Sequence, residues 1–194
     1  MRYPSLPPVG AVAAPELPFR PSPNLSSRHG SAARIVFVHV WGGGSFQSVC
    51  NWLSDPRSQA SAHVVYGGTL NDPEGEAAQL VKWEDKAWTQ CALNPVGLSV
   101  ESADAIWQGH DAHGFAQLAR IVALLCHLQL QVCRELTPAA VLAGSQGFAR
   151  HADAGALGCG HLSCPTADAE LWQQFASRVI EEYRHGGFRS SWGT

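Results

Sequence analysis

The segment from Arg34 to Gly44 reads RIVFVHVWGGG, and it decides the fold prediction. Its first seven residues are nearly all apolar and mostly β-branched, which is typical of a central strand covered on both faces. One histidine, His39, lies near the end of this strand, and three glycines follow. A buried histidine there is either a core residue with a satisfied hydrogen bond or the first member of a functional site. The segment alone leaves both interpretations open.

Further strands and helices are predicted on either side of this segment. Apolar residues at helical spacing predict a helix over 45–53, with Ser45 as its N-cap, and Asp55-Pro56 ends it. Strands and helices are interspersed, so the predicted fold class is α/β, a mixed central β-sheet flanked by α-helices. The other predicted strands cover 62–66, 79–83, 97–101 and 139–143, and the other predicted helices cover 114–130 and 168–183.

The composition is that of a globular protein. The chain has 194 residues, of which 45% are hydrophobic and 15% charged, and its formal net charge is −3. It has no basic run, so a nucleic-acid-binding function is not expected. No apolar run approaches the about 20 residues that cross a bilayer, so membrane insertion is not expected either. Six cysteines are too sparse for a disulfide scaffold, and we predict mostly free thiols with one candidate metal ligand.

The amino-terminal segment differs from the rest of the chain. Residues 1–30 are rich in Pro, Ser and Ala and show no hydrophobic periodicity. We interpret them as a linker or arm that joins a folded domain, residues 31–194, to something upstream. Prolines interrupt every apolar stretch in this segment, so we expect no signal peptide and synthesis in a cytoplasm.

The most informative loop reads RHADAGALGCGHLSCPT, residues 150–166. Imidazole nitrogen and thiolate sulfur are ligands that zinc prefers, and this loop is rich in both. It contains no CxxC or HxxxH spacing, so a structural zinc site is not favoured. A catalytic zinc needs three protein ligands and leaves its fourth coordination position open. His39, His151 and Cys164 can supply the three ligands if the loop folds against the first strand. Otherwise these residues are ordinary solvated side chains.

A carboxylate, Glu101, ends the predicted strand over 97–101. Such a group is either solvated at the sheet edge or held beside a reacting water as a general base. Other chemistries fit the sequence less well. The chain has no G-x-S-x-G nucleophile elbow, no H-x-E with P-C-x-x-C deaminase pattern and no phosphate-binding loop.

In chain order these segments resemble the zinc N-acetylmuramoyl-L-alanine amidases, the superfamily that includes peptidoglycan recognition proteins. IVFVHV is similar to the family's first strand, NPVGLSVE to the strand that ends on the catalytic glutamate, and RHADAG and HLSCPT to the segments of the later ligands. The similarity extends over about 34–188. Within the superfamily the chain most resembles the amidase domain of endolysins from phages of mycobacteria and related actinobacteria.

The resemblance assigns roles to five residues. It implies that His39, His151 and Cys164 bind Zn²⁺, which activates water and polarises the scissile carbonyl. Glu101 then corresponds to the general base, and His161 is the candidate that donates a hydrogen bond to the tetrahedral oxyanion.

Other roles implied by the resemblance concern the substrate and the orientation of a ligand. His63 is an alternative oxyanion donor and substrate-binding residue, and Trp41 and Trp88 are expected to line the substrate groove, although either tryptophan could equally be core. Asp153 either orients His151 as a second-shell partner or caps the loop.

The implied activity is hydrolysis of the amide between N-acetylmuramic acid and L-alanine in peptidoglycan, by a catalytic domain over 31–194. We expect a monomer within a modular lysin, held in the host cytoplasm until it is released to the cell wall. One alternative is a non-catalytic peptidoglycan-binding module on the same fold, although Cys164, whose loss usually marks such modules, is present. Another is an unrelated metal-free α/β domain.

Overall fold

The structure is a computed structural model and describes residues 17–69 and 76–185. The strands in the described residues are β1 (Leu25–Ser27), β2 (Ile35–Val40), β3 (Val64–Tyr66), β4 (Ala77–Gln79), β5 (Asp85–Ala87), β6 (Gly97–Ser102) and β7 (Gly147–Arg150). The central sheet has the order β4-β3-β6-β2-β7, with β4 antiparallel to β3 and the other pairs parallel. The predicted mixed sheet is confirmed.

The helices in the described residues are α1 (Phe46–Leu53), α2 (Asp104–Trp107), α3 (Ala112–Leu125), α4 (Pro138–Leu142) and α5 (Ala169–His185). A π-helical turn over Cys126–Leu130 extends α3, and 3₁₀ segments cover Pro56–Ser58, Cys91–Leu93 and His151–Gly158. The predicted helices over 45–53, 114–130 and 168–183 are therefore confirmed. Ser45 caps α1 as predicted, since its side chain accepts a hydrogen bond from the Ser48 N–H. Among the described helices, none combines the length and apolar content that a bilayer crossing requires.

Helices cover both faces of the sheet, as the continuous apolar character of β2 predicts. Val36 and Val38 face the larger core, which α3 and α5 complete, whereas Ile35 and Phe37 face α4 on the other side. Side chains alternate along a strand, so His39 lies on the same face as Phe37. The histidine is therefore at the carboxyl end of an interior strand, on the face that α1 and α4 cover.

Two predicted strands need correction. Residues 139–143 lie in helix α4 because Thr137 accepts a hydrogen bond from the Ala140 N–H as an N-cap and Pro138 occupies the first helical turn. The strand predicted over 79–83 is β4 instead, which ends at Gln79. Apolar content alone does not distinguish a short helix from a short strand.

The predicted boundary at residue 31 is also wrong for the part of the arm that the structure describes. Strand β1 pairs antiparallel with β5, and the backbone of Arg20 bonds to Gln79. Asn24 is buried and donates hydrogen bonds to the carbonyls of Asp55 and Ala60. Residues 17–30 thus belong to the folded unit, because specific polar contacts rather than an apolar pattern attach them. Residues 1–16 of the predicted arm lie outside the described residues.

Candidate metal centre

Strand β2 brings His39 to the carboxyl-terminal edge of the sheet. The strand lies between β6 and β7, so both of its edges are paired. His39 is the fifth of its six residues and is only 2% exposed. The imidazole is therefore buried at the edge where the segments after β2, β6 and β7 converge.

The segment after β7 brings the other two predicted ligands to the same place. His151 follows β7 directly, and the Ala152 N–H donates to the Cys164 carbonyl at 2.9 Å, which closes the intervening loop. The Sγ of Cys164 accepts a hydrogen bond from the backbone N–H of Val40, the neighbour of His39, at 3.4 Å. One potential ligand atom from each of His39, His151 and Cys164 lies within 4.8 Å of the others.

Burial keeps both imidazoles neutral. The pKa of His39 lies well below its ordinary value, chiefly because of burial and then because of the charges of His151, His161 and His63. Burial and His161 lower the pKa of His151 to about 4, whereas a hydrogen bond with the Gly158 backbone acts in the opposite direction. Neutral imidazole is the form that binds a metal ion.

The thiol of Cys164 has a raised pKa, in contrast to the two imidazoles. Burial raises its pKa to about 12, the Val40 N–H opposes that rise, and the nearby carboxylate of Glu101 adds to it. A thiolate at this position therefore needs a cation beside it, and a coordinating thiol is deprotonated outright by the ion's own charge.

The donor set fits zinc. Within the described residues, the buried Nε2 atoms of His39 and His151 have no hydrogen-bond partner, although buried polar groups are normally paired. Two nitrogens and one sulfur that converge at this distance match the borderline-soft character of Zn²⁺. Three protein ligands leave a fourth tetrahedral position open, as in catalytic rather than structural zinc sites.

Glu101 lies beside this cluster on the neighbouring strand. Its Oε1 is 4.0 Å from the His39 Nδ1, and its side chain is 16% exposed. Burial raises the pKa of this carboxyl to about 7, and its Oε2 has no hydrogen-bond partner within the described residues. A carboxyl group with a pKa near neutrality can both accept and return a proton, which is what a general base requires.

His161 lies at the outer side of the cluster. Its ring stacks on that of His151, with 4.7 Å between the ring centroids, and its side chain is exposed. The loop therefore presents one imidazole to the ligand cluster and a second one to solvent next to it. That position suits a hydrogen-bond donor to a bound substrate better than a metal ligand.

Asp153 does not contact His151 through any hydrogen bond that the structure contains. Its carboxylate accepts from Nε, Nη2 and the backbone N–H of Arg150, with the Nη2 contact at 2.7 Å. Asp153 therefore caps the start of the loop, which is one of its two predicted roles. The other predicted role, orienting His151, is wrong. The Gly158 backbone packs against the His151 ring instead, since a Cβ atom at Gly158 would lie 3.1 Å from the His151 Cδ2.

A groove leads away from Glu101 over helix α1. Its cavity volume is about 360 Å³, and its lining includes Trp41, the backbone of Gly42 and Gly43, and the indole of Trp52. Trp52 is 57% exposed. Trp41 therefore lines the groove beside Glu101, and a second tryptophan, which was not predicted, extends the apolar wall.

His63 is not available to a substrate, which corrects its predicted role. The side chain is fully buried, with Nδ1 at 3.1 Å from the Ser99 Oγ and Nε2 at 2.9 Å from Nη2 of Arg28. The Asp85 carbonyl lies 3.2 Å from the same Nε2. Burial, followed by the charge of Arg28, lowers the pKa of His63 to about 3. The ring is a hydrogen-bonded core residue.

Trp88 is likewise outside the groove that Glu101 lines. Its indole N–H donates to the Ser26 Oγ of β1 at 3.0 Å, and its backbone N–H donates to the Ser61 Oγ. These contacts attach the amino-terminal segment to the domain, so the predicted role of Trp88 in the substrate groove is wrong.

Three features around the cluster of proposed ligands are not predicted from the sequence. Trp52 could have been identified as an exposed tryptophan, because it is not on the buried face of α1. That face is formed by Phe46, Cys50 and Leu53. Cys159, a loop thiol in the prediction, forms a disulfide with Cys91, 68 residues away, and a separation of that length leaves no signal in the sequence. The third feature is the contact of the Gly158 backbone with a ligand ring. Four cysteines are free thiols, as predicted for most of them.

Comparisons with known proteins agree with this architecture. No protein-family model matches the chain, and no curated protein matches it. Among solved structures, the hydrolase AmiA of Staphylococcus aureus, crystallised with its ligand, superposes with a TM-score of 0.67 at 14% identity, over 93% of this chain and 90% of that one.

Two further solved structures give similar results. The PlyG catalytic domain matches with a TM-score of 0.58 at 14% identity, over 92% of this chain and 99% of that one. A mutant endolysin from Bacillus subtilis matches with a TM-score of 0.55 at 14% identity, over 84% and 98%. The chain therefore has the mixed α/β fold of these three structures, the amidase and peptidoglycan recognition protein fold that the resemblance in its sequence implied.

Proposed function

We propose that the chain is a zinc-dependent peptidoglycan hydrolase that cleaves the amide bond between N-acetylmuramic acid and L-alanine. The observation that carries this proposal is the convergence of His39, His151 and Cys164 within 4.8 Å, with Glu101 beside them. The fold shared with AmiA and the endolysins supports it, since the site lies at the edge of the same type of sheet.

His39, His151 and Cys164 hold the zinc ion in this proposal. When bound, the ion supplies a Lewis acid that polarises a carbonyl and lowers the pKa of water. The Glu101 carboxylate accepts the proton of the attacking water and returns it to the leaving amine of L-alanine. Because burial has raised its pKa to about 7, the carboxyl transfers protons in both directions near neutral pH.

His161 and the groove complete the site. The exposed imidazole of His161 donates a hydrogen bond to the oxygen that becomes negatively charged in the tetrahedral transition state. Trp41 and Trp52 offer flat apolar surfaces, and the groove has Glu101 as its charged lining residue, which suits a neutral sugar better than an ionised peptide.

We further propose that the domain acts as part of a modular, monomeric phage lysin. The fold likeness to the PlyG catalytic domain and the B. subtilis endolysin supports this biological setting. The lysin then resides in the host cytoplasm and reaches its peptidoglycan substrate when the membrane barrier is opened by another protein.

The test measures bound zinc and the release of L-alanine amino termini from actinobacterial peptidoglycan. We expect the wild type to hold one zinc ion per chain and to release amino termini. Glu101→Gln keeps the metal but lowers kcat by about 10²- to 10⁴-fold, the usual contribution of a general base. Glu84→Gln, which alters an exposed carboxylate outside the groove, is the matched control and retains activity.

Two results would contradict the proposal in different ways. A wild type that holds no zinc refutes the metal centre. A wild type that holds zinc and binds peptidoglycan without releasing amino termini is a binding module on the same fold, which is the alternative function.

A further inference from the structure

The loop that carries two of the proposed ligands, residues 151–164, is tied to the domain at its apex by a disulfide. Cys159 N–H and Gly160 N–H donate to carbonyls of the same loop, those of Ala156 and Gly155, so these hydrogen bonds shape the apex without anchoring it. The bond from Cys159 to Cys91 connects the apex to the 3₁₀ turn that follows β5. The disulfide thus fixes where the apex lies relative to the sheet.

Both half-cystines have a backbone conformation that L-residues rarely adopt. The φ angle is +52° at Cys91 and +61° at Cys159. Non-glycine residues in the left-handed region are strained and persist where the surrounding structure holds them. The disulfide is thus one restraint on these two backbone conformations, beside the hydrogen bonds within the loop apex.

The residue before Cys159 touches a proposed ligand. A Cβ atom at Gly158 would lie 3.2 Å from the His151 Nε2 and 3.1 Å from its Cδ2, and only 2.6 Å from the Cβ of Ala154. The Gly158 backbone therefore packs closely against this imidazole and limits where the ring can lie, as groups around metal ligands commonly do.

We propose that the Cys91–Cys159 disulfide positions His151 through Gly158, so that the affinity of the His39–His151–Cys164 site for zinc depends on the oxidation state of this cysteine pair. This inference rests on the proposed function, because it assumes that the site binds zinc. The oxidised protein binds zinc more tightly, and the reduced protein more weakly.

The redox step is ordinary thiol–disulfide exchange. The Cys91 and Cys159 thiols give up two protons and two electrons to a small-molecule disulfide, such as oxidised glutathione, which is released as two thiols. Both residues are exposed, so exchange is sterically open. Cytoplasmic thiols keep such pairs reduced, whereas the extracellular side is oxidising. The site therefore tightens on the side of the membrane where the cell wall is.

The test compares the zinc affinity of the full chain before and after reduction. The protein is treated with oxidised glutathione or with a phosphine reductant, and alkylation with mass spectrometry reports the state of Cys91 and Cys159. Competition with a chromogenic chelator then measures the zinc dissociation constant. We expect reduction to weaken zinc binding by about tenfold or more, the effect of groups that orient metal ligands. The double variant Cys91→Ser/Cys159→Ser binds zinc weakly with and without reductant.

Glycine variants test the connection between the disulfide and the ligand. Gly158→Ala, with the disulfide intact, weakens zinc binding by about 10- to 100-fold because its methyl group displaces the His151 ring. Gly144→Ala is the control, since it adds a methyl group and backbone strain outside the groove and the ligand loop, where the nearest atom is an Arg34 nitrogen at 3.7 Å. Its zinc affinity stays at the wild-type value.

Several outcomes would overturn the inference. Equal zinc affinity in the oxidised and reduced wild type refutes it, as do free thiols at Cys91 and Cys159 after oxidation, or wild-type zinc affinity in Gly158→Ala. An oxidised wild type that binds no zinc instead refutes the proposed function, and this inference with it.

Discussion

His39 and Glu101 are directly opposite each other on adjacent parallel strands, with the His39 Nδ1 and the Glu101 Oε1 4.0 Å apart. The register of β2 and β6 therefore fixes a proposed ligand and the proposed general base relative to each other. Neither residue depends on a loop for its position, so the distance between them is held by the ladder hydrogen bonds of an interior strand pair. By contrast, His151 and Cys164 come from the loop after β7. The site thus has two residues, His39 and Glu101, that the strands hold, and two, His151 and Cys164, that a loop must hold in place.

The first prediction concerns removal of the proposed sulfur ligand, Cys164. Cys164→Ser replaces a soft thiolate by a hydroxyl that zinc binds poorly, while the side-chain volume hardly changes. We expect a loss of zinc affinity larger than the about 10- to 100-fold that the loss of an outer-shell contact produces. Elemental analysis and chelator competition measure the change.

A second thiol provides the control for this substitution. Cys133 is partly buried and free, and it packs against the main core rather than near the ligand cluster. Cys133→Ser should retain the wild-type zinc content. Equal zinc affinity in Cys164→Ser and the wild type would remove the thiolate from the metal centre.

The sequence contains enough information to predict the sheet and the residues that converge at its edge, but not what the amino-terminal segment does. β2 and β6 are long apolar strands, and His39 and Glu101 end them, so pattern alone locates both. His63 also lies among apolar residues. In the sheet, however, it is opposite Ser99, which comes two residues before Glu101 on β6. A histidine at that level cannot reach a site formed where the strands end.

The errors at His63 and Trp88 have one cause. Arg28 binds His63, and Ser26 accepts a hydrogen bond from Trp88, so the segment interpreted as an arm covers both side chains. Its attachment depends on single polar contacts, such as those of the buried Asn24, which leave no periodic signal. The resemblance implies a substrate role for both rings, and for Trp88 a core role equally, whereas residues 17–30 bury them away from the groove. The Cys91–Cys159 disulfide was hidden for a similar reason, since its partners meet only in the folded chain.

The groove predicts a substrate-binding role for Trp52. Replacing its exposed indole by a methyl group in Trp52→Ala removes an apolar platform for a sugar ring, which is worth about 1 kcal/mol, or about a fivefold increase in KM. Zinc affinity and kcat should change little, because Trp52 is neither a proposed ligand nor the proposed general base. Steady-state kinetics on soluble glycan fragments separates the two parameters.

A matched substitution makes this prediction specific. Leu142 on α4 is 58% exposed, almost the same fraction as Trp52, and is not part of the groove lining. Leu142→Ala should leave KM at the wild-type value. If both substitutions raise KM equally, the effect of Trp52 is not due to the groove.

Buried His63 predicts how stability depends on pH. Its pKa is about 3 in the folded protein and about 6.5 when the ring is exposed to water. Between these values the unfolded chain binds a proton that the folded chain does not, so the free energy of unfolding falls as the pH is lowered from 6.5 towards 3. The contribution of His63 is fully present above pH 6.5. Urea unfolding at several pH values, with a chelator present, measures this slope.

Substitution of the ring tests the assignment. His63→Gln should lower stability at neutral pH, because it disrupts the bonds to Arg28 and Ser99, but it should make the slope between pH 6.5 and 4 shallower. His113→Gln, which removes an exposed imidazole from α3, is the comparison variant. An unchanged slope in His63→Gln would show that other groups dominate the acid sensitivity.

The stacked pair of His151 and His161 leads to the last prediction. The two rings are 4.7 Å apart, but His151 is buried among the ligands and His161 faces solvent. If His161 donates a hydrogen bond to the developing oxyanion, it acts on the transition state more than on the bound substrate. His161→Ala should therefore lower kcat by about 10²- to 10³-fold with little change in KM, and it should retain zinc. His161→Gln keeps a donor and should recover part of the lost kcat. Loss of zinc in His161→Ala, or a change in KM alone, would contradict this role and assign the ring to ligand support or to substrate binding.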